Sequence, residues 1–186
     1  MGRSLSILIA ALAALILVVS VYAFPPRIAA ASCLLGWTML AIAAIDARDY
    51  VIPDVLSLPA IPLGLLASGA LVQPSTGDLV NLDNVIGTIA GGASLWLLRA
   101  LYGSMRNREG LGLGDVKLAC AGGAWIGWRD LPLLLLMASV LALGLTIAET
   151  LLRRSTIGAT TKVPFGAFLA PSIWVIWSVE VSWPAP

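Results

Sequence analysis

Stretch after stretch of this chain stays apolar for about the 20 residues that a helix needs to cross hydrocarbon. A bilayer offers no water to satisfy peptide groups, so only helices and closed barrels span it, and runs of this length specify helix. Seven segments can be read, at about 5–24, 28–46, 54–72, 84–103, 114–128, 131–152 and 163–183. The breaks between them carry turn chemistry: Pro25-Pro26, Pro53-Asp54, the polar stretch Gln73 to Asn84, the glycine-rich Arg106 to Gly114, Arg129-Asp130, and Arg153 to Lys162. The fifth segment is short and contains Gly122, Gly123 and Gly127, so it is expected to be tilted or broken, with six crossings as the alternative count. The expected fold class is therefore an all-α polytopic integral membrane protein, one transmembrane domain over residues 1–186, with an extra N-terminal helix at about 5–24 and a core at about 28–183.

Composition agrees: 59% of residues are hydrophobic, 11% are charged, and the mean hydropathy is +0.96, whereas about a quarter of a soluble domain is charged. A net charge of +1 and the lack of a basic tract argue against nucleic acid as a partner. The lipid bilayer is the expected surrounding. The first segment also admits a signal-peptide reading, with Val21-Tyr22-Ala23 as a small-residue cleavage site, but its apolar run is longer than an ordinary signal core.

Orientation follows from charge. Seven crossings put Arg3, Arg48, Arg99, Arg106, Arg108, Lys117, Arg153, Arg154 and Lys162 on one side and leave Arg27 and Arg129 on the other, nine against two. The positive-inside rule makes the populated side cytoplasmic and places Trp174, Trp177 and Trp183 toward the outer headgroup layer.

Against this background two aspartates stand out, Asp46 in AIDARDYVIPD and Asp115 in GLGLGDVKL. Carboxylates at the ends of apolar helices are costly to keep ionised and are functional candidates by default. Two crossings separate them, so the chain returns to its starting face and both lie at the cytoplasmic boundary, although they are 69 positions apart. Asp78, Asp83 and Asp130 fall on the outer side and cannot join them.

No histidine is present, which removes Ser/His and Cys/His pairs and the HExxH zinc site. Cys33 and Cys120 form no CxxC pair and read as small buried hydrophobes. Two carboxyls held about 3 Å apart cannot both ionise, so the pair keeps one proton. The ionised member can then take a proton from water while the protonated member polarises a scissile carbonyl. Such hydrolysis requires no metal or cofactor.

Neighbouring residues have local readings. Gly110, Gly112 and Gly114 permit positive φ or a close backbone approach, and Asp115 could alternatively cap its helix. N-capping of the third segment accounts for Asp54, and Asp49 is expected in a loop beside Arg48. Lys117 is expected to extend toward the interface, with pairing to another acid as the alternative. Glu149 and Arg153 have the spacing of a surface ion pair. Pro164, Phe165 and Gly166 suggest a defined turn that packs on the site or contacts substrate.

At IDARDYVIPD, GLGLGDVKL and KVPFGAFLAP, in that order, the chain resembles the type IV prepilin peptidase family of GxGD aspartic membrane proteases over roughly residues 28–183. The resemblance implies that Asp46 and Asp115 are the catalytic pair. It further implies that the partners are precursors of type IV pilins and pseudopilins, cut behind a short basic leader at the cytoplasmic face of the inner membrane. The chain resembles short, peptidase-only members, such as those serving Flp or Tad pili; bifunctional relatives add a cytoplasmic region with paired CxxC motifs and methylate the new N-terminus. Ala167 stands where PFGP is common in relatives. The alternatives are a presenilin-like enzyme cutting helices within the bilayer, a proton-coupled transporter and a noncatalytic assembly protein of a pilus machine. A homodimer is compatible with the sequence.

Overall fold

The computed structural model describes residues 2–72, 80–106, 110–153 and 163–183. Among them are α1 (Gly2–Ala23), α2 (Pro26–Asp49), α3 (Asp54–Ala67) with a π-helical turn at Ser68–Val72, α4 (Leu82–Arg106), α5 (Leu113–Ile126), α6 (Leu131–Arg153) and α7 (Gly166–Ser182). Five stretches are long and apolar enough to cross a membrane: α1, α2, α3 with its π-turn, α4 and α6. The molecule is a polytopic helical membrane protein. Asp78, Arg108, Arg154 and Lys162 lie outside the described residues, as do the side chains of Arg3, Arg106, Glu149 and Arg153, so the Glu149–Arg153 pair does too.

The segment that reads least like a crossing is the centre of the bundle. With 14 residues, α5 is far shorter than α2 with 24, and it is unbroken, ending only where Gly127 turns at φ 70°. It packs against α3, α4 and α7, and Leu118, Ala119, Ala121 and Ala124 are fully buried. Small residues make this possible, because helices in lipid associate through close packing instead of hydrophobic exclusion. On α4, Gly87 and Gly91 lie against the backbone of Gly123 and Ala119, and Gly92 lies against the Cys120 side chain. A Cβ on Gly87 would come 2.5 Å from the Gly123 carbonyl oxygen.

Polar atoms lock the same packing. Asn84 Nδ2 donates to the Ala124 carbonyl at 3.0 Å, joining α4 to α5, and Trp125 Nε1 donates to the Ala60 carbonyl at 2.9 Å, joining α5 to α3. On the far side of α2, Ser20 Oγ donates to Ser32 Oγ at 2.7 Å and Trp37 Nε1 donates to the Ala13 carbonyl at 3.1 Å, which docks α1.

The aromatic belt expected on α7 is only partly formed. Trp183 is 82% exposed, but Trp177 is 1% exposed and packs edge-on against Trp125, while Trp174 Nε1 donates to Ser32 Oγ. The α7 face that carries Trp177 is turned into the bundle, where an indole fills volume.

Two groups of polar contacts mark opposite ends of the bundle. Asp83 lies 3.7 Å from Arg129 and accepts from Trp128 at one end. Asp46, Asp54, Asp115, Lys117 and the start of α7 gather at the other.

Candidate active site

Asp46 sits in the last turn of α2. Its helix continues through Asp49 and stops at Tyr50, which adopts the left-handed conformation at φ 54° and donates its N–H to the Asp46 carbonyl. Asp49 is thus helical, contrary to the loop expectation, because the stop signal comes one residue later; its side chain is exposed and pairs loosely with Arg48. Asp46, by contrast, is 5% exposed.

The partner of Asp46 lies 121 positions away. Ala167 donates its backbone N–H to Asp46 Oδ2 at 2.8 Å, and the Gly166 N–H faces the same carboxyl. Both belong to the first turn of α7, where backbone donors have no helical acceptors and the helix dipole favours negative charge. The turn expected at Pro164-Phe165-Gly166 therefore does pack on the site. Ala167 supplies a donor that the proline of PFGP lacks.

Asp115 occupies the third position of α5, and the Gly112 N–H donates to its Oδ2 at 3.2 Å. This realises half of a capping box; Gly112 has no side chain with which to reciprocate. Capping uses one oxygen only. Asp115 Oδ1 is buried and has no hydrogen-bond partner, an unusual condition for a polar atom. Asp46 and Asp115 are close enough to interact electrostatically, so the structure brings together the two carboxyls that the count of crossings paired.

The glycines serve close approach and not positive φ: Gly112 has φ −72°, and among the described glycines only Gly127 is left-handed. A Cβ on Gly114 would lie 2.8 Å from Ile52 Cβ; one on Gly166 would lie 2.5 Å from Ile52 Cδ1 and 3.0 Å from Asp46 Oδ2. The loop before α5 is pinned by Arg99, whose Nη1 donates to the Leu111 carbonyl at 2.6 Å.

Two expectations are corrected. Asp54 caps nothing: Pro53 holds the cap position, no side chain caps α3, and Asp54 is already in the first turn. Instead Lys117 Nζ donates to both Asp54 oxygens, at 2.7 and 2.8 Å, so for Lys117 the alternative of pairing with an acid holds. The packing of α3 on α5 sets an acid and an amine opposite one another, and a direct ion pair satisfies both. Sequence reasoning missed Ile52, Ala167 and Arg99 as parts of the site. Ile52 did carry a signal, as a β-branched residue immediately before the Pro53 that opens a helix.

A bundle of membrane-length helices with two acids drawn to one end defines a class, the polytopic membrane protein with a paired-carboxyl centre. Within that class the chain belongs to the type IV leader peptidase family, whose model matches residues 33–147, the stretch that holds both aspartates. It is 37% identical over 157 residues to the prepilin leader peptidase/N-methyltransferase of Pseudomonas aeruginosa, covering 83% of this chain and 51% of that protein. The protein of the same name from Escherichia coli strain K12 is 38% identical over 148 residues, covering 79% of this chain and 62% of that protein. The one from Pseudomonas putida is 39% identical over 150 residues, covering 79% and 49%. The chain thus spans about half the length of the curated relatives it matches. No solved structure matches it.

Proposed function

We propose that the protein is an aspartic endopeptidase that removes the leader of prepilin-like or pseudopilin precursors, with Asp46 and Asp115 as the catalytic pair. One observation carries this reading: two carboxyls far apart in sequence meet at one end of the bundle, and one of them keeps a buried oxygen unpartnered. That oxygen is free for a water or a scissile carbonyl. Amides of α7 hold Asp46 and the Gly112 amide holds Asp115, so each acid is oriented by backbone donors. One carboxylate takes a proton from water as it attacks while the second, protonated carboxyl gives its proton to the carbonyl oxygen, forming a gem-diol; the first then passes the water-derived proton to the leaving amine as the C–N bond breaks, and the second takes a proton back from a gem-diol hydroxyl. The family relationship and the names of the relatives support the substrate class. The charge bias supports a site facing the cytoplasm from the inner membrane.

The test is cleavage of a purified precursor bearing a short basic leader before an apolar helix. Asp46→Asn and Asp115→Asn should each abolish cleavage while the protein stays folded. Turnover by either variant within tenfold of the parent rejects the pair. Labelling of Ser104→Cys and Arg129→Cys in a chain without Cys33 and Cys120 tests orientation: the first should react only from the cytoplasmic side and the second only from outside.

A further inference from the structure

The segment between α2 and α3 carries three exposed or half-exposed residues and one that is not. Tyr50 and Val51 are 52% and 58% exposed, whereas Ile52 is 8% exposed. The left-handed turn at Tyr50 reverses the chain at the end of α2, and Pro53 launches α3 at φ −67°. A residue before proline is restricted to extended backbone, and a β-branched side chain is stiff at χ1. Ile52 is therefore a rigid group, held from both sides and pointed inward.

What it points between is specific. Its Cβ packs against Gly114, the residue before Asp115. Its Cδ1 packs against Gly166, whose chain neighbour Ala167 holds Asp46 through its N–H. The same Cδ1 would lie 3.4 Å from a Cβ on Gly114 and 2.5 Å from one on Gly166, so a single methyl group separates the two glycines. Both glycines lack the atom that would push Ile52 out, and both adjoin an element that fixes one carboxyl.

We propose that Ile52 is a positioning residue: its side chain is the spacer that sets the separation of Asp46 and Asp115. The proposal rests on the assignment of these two acids as the catalytic pair. Trimming the spacer lets the start of α7 and the start of α5 close up, which misplaces the carboxyls relative to a water held between them. Misplacement of about 1 Å lowers turnover about 10²-fold.

Two measurements test this. The first is kinetic: Ile52→Ala should lower kcat about 10²-fold with KM within about twofold, and Ile52→Val, which lacks only Cδ1, should lie between it and the parent. Gly166→Ala should also lose turnover, and Ile52→Val added to it should restore part, because the atom it clashes with is gone. A purely structural residue would lower the melting temperature and leave kcat per folded molecule unchanged, which overturns the proposal. The second needs no activity. In a chain without Cys33 and Cys120, Asp46→Cys and Asp115→Cys are bridged with thiol cross-linkers of graded length, and the preferred length should shorten from Ile52 to Val to Ala. An unchanged preference overturns the spacer. A shift in preference together with a parent that cleaves no precursor overturns the assigned reaction and leaves the spacer standing.

Discussion

Gly123→Ala is the sharpest test of the packing that carries the site. A Cβ at this position would overlap the Gly87 carbonyl and approach the Thr88 nitrogen to 2.8 Å. These are backbone atoms, so no rotamer change relieves the contact, and α4 must move away from α5 by about 1 Å to reach ordinary van der Waals spacing. Overpacking of this kind costs about 1–3 kcal/mol, and an immovable partner puts it near the middle of that range or above, about 2 kcal/mol. The same displacement stretches the Asn84–Ala124 hydrogen bond, now 3.0 Å, beyond useful length, adding about 1 kcal/mol. The expected loss is about 3 kcal/mol. Gly144→Ala is the control, since nothing lies within 4 Å of a Cβ there; it should be neutral or stabilising by up to about 1 kcal/mol through helix propensity. Reversible unfolding in mixed micelles, followed by tryptophan fluorescence, measures both. If the two variants unfold alike, the close approach of α4 and α5 is wrong, and with it the placement of Asp115.

Other outcomes follow from single contacts. A double-mutant cycle on Asp54→Asn and Lys117→Met should give a coupling of only about 0.2–1 kcal/mol in unfolding, since the Asp54 side chain is 55% exposed; a coupling above 2 kcal/mol would show a pair shielded from water. Trp125→Phe removes the donor to the Ala60 carbonyl and should cost about 1 kcal/mol, read in the same assay; no loss would mean that the bond contributes nothing. Leader cleavage should show a bell-shaped pH profile, falling in acid when both carboxyls are protonated and no base remains, and falling in alkali when both are ionised and no acid remains. A profile flat from acid to neutral pH would rule out a shared proton.

The sequence made the crossings legible because hydrocarbon imposes a length on apolar runs, and it made the meeting of Asp46 and Asp115 legible because parity of crossings is topology and needs no side-chain detail. It could not show which face of a helix turns inward. Trp177 reads as an interfacial ring by position on α7, yet it lies in the core against Trp125. Gly123 of α5 looks like damage to a crossing until α4 presents Gly87 to it. Local rules gave Asp54 to its own helix, because capping is what neighbours in sequence can decide; the partner it found is 63 positions away. Ile52 escaped notice for the same reason, since its importance comes from two glycines distant in the chain.

The shortness of α5 has its own corollary. Fourteen residues of helix measure about 21 Å, some 9 Å less than the hydrocarbon thickness. The Gly127 end is level with Asp83 and Arg129, whose exposed charges belong at the headgroups. α4 starts at that same end and has 25 residues, about 37 Å of helix, so it runs on past the start of α5 and leaves the Asp115 end short of the level that α4 reaches.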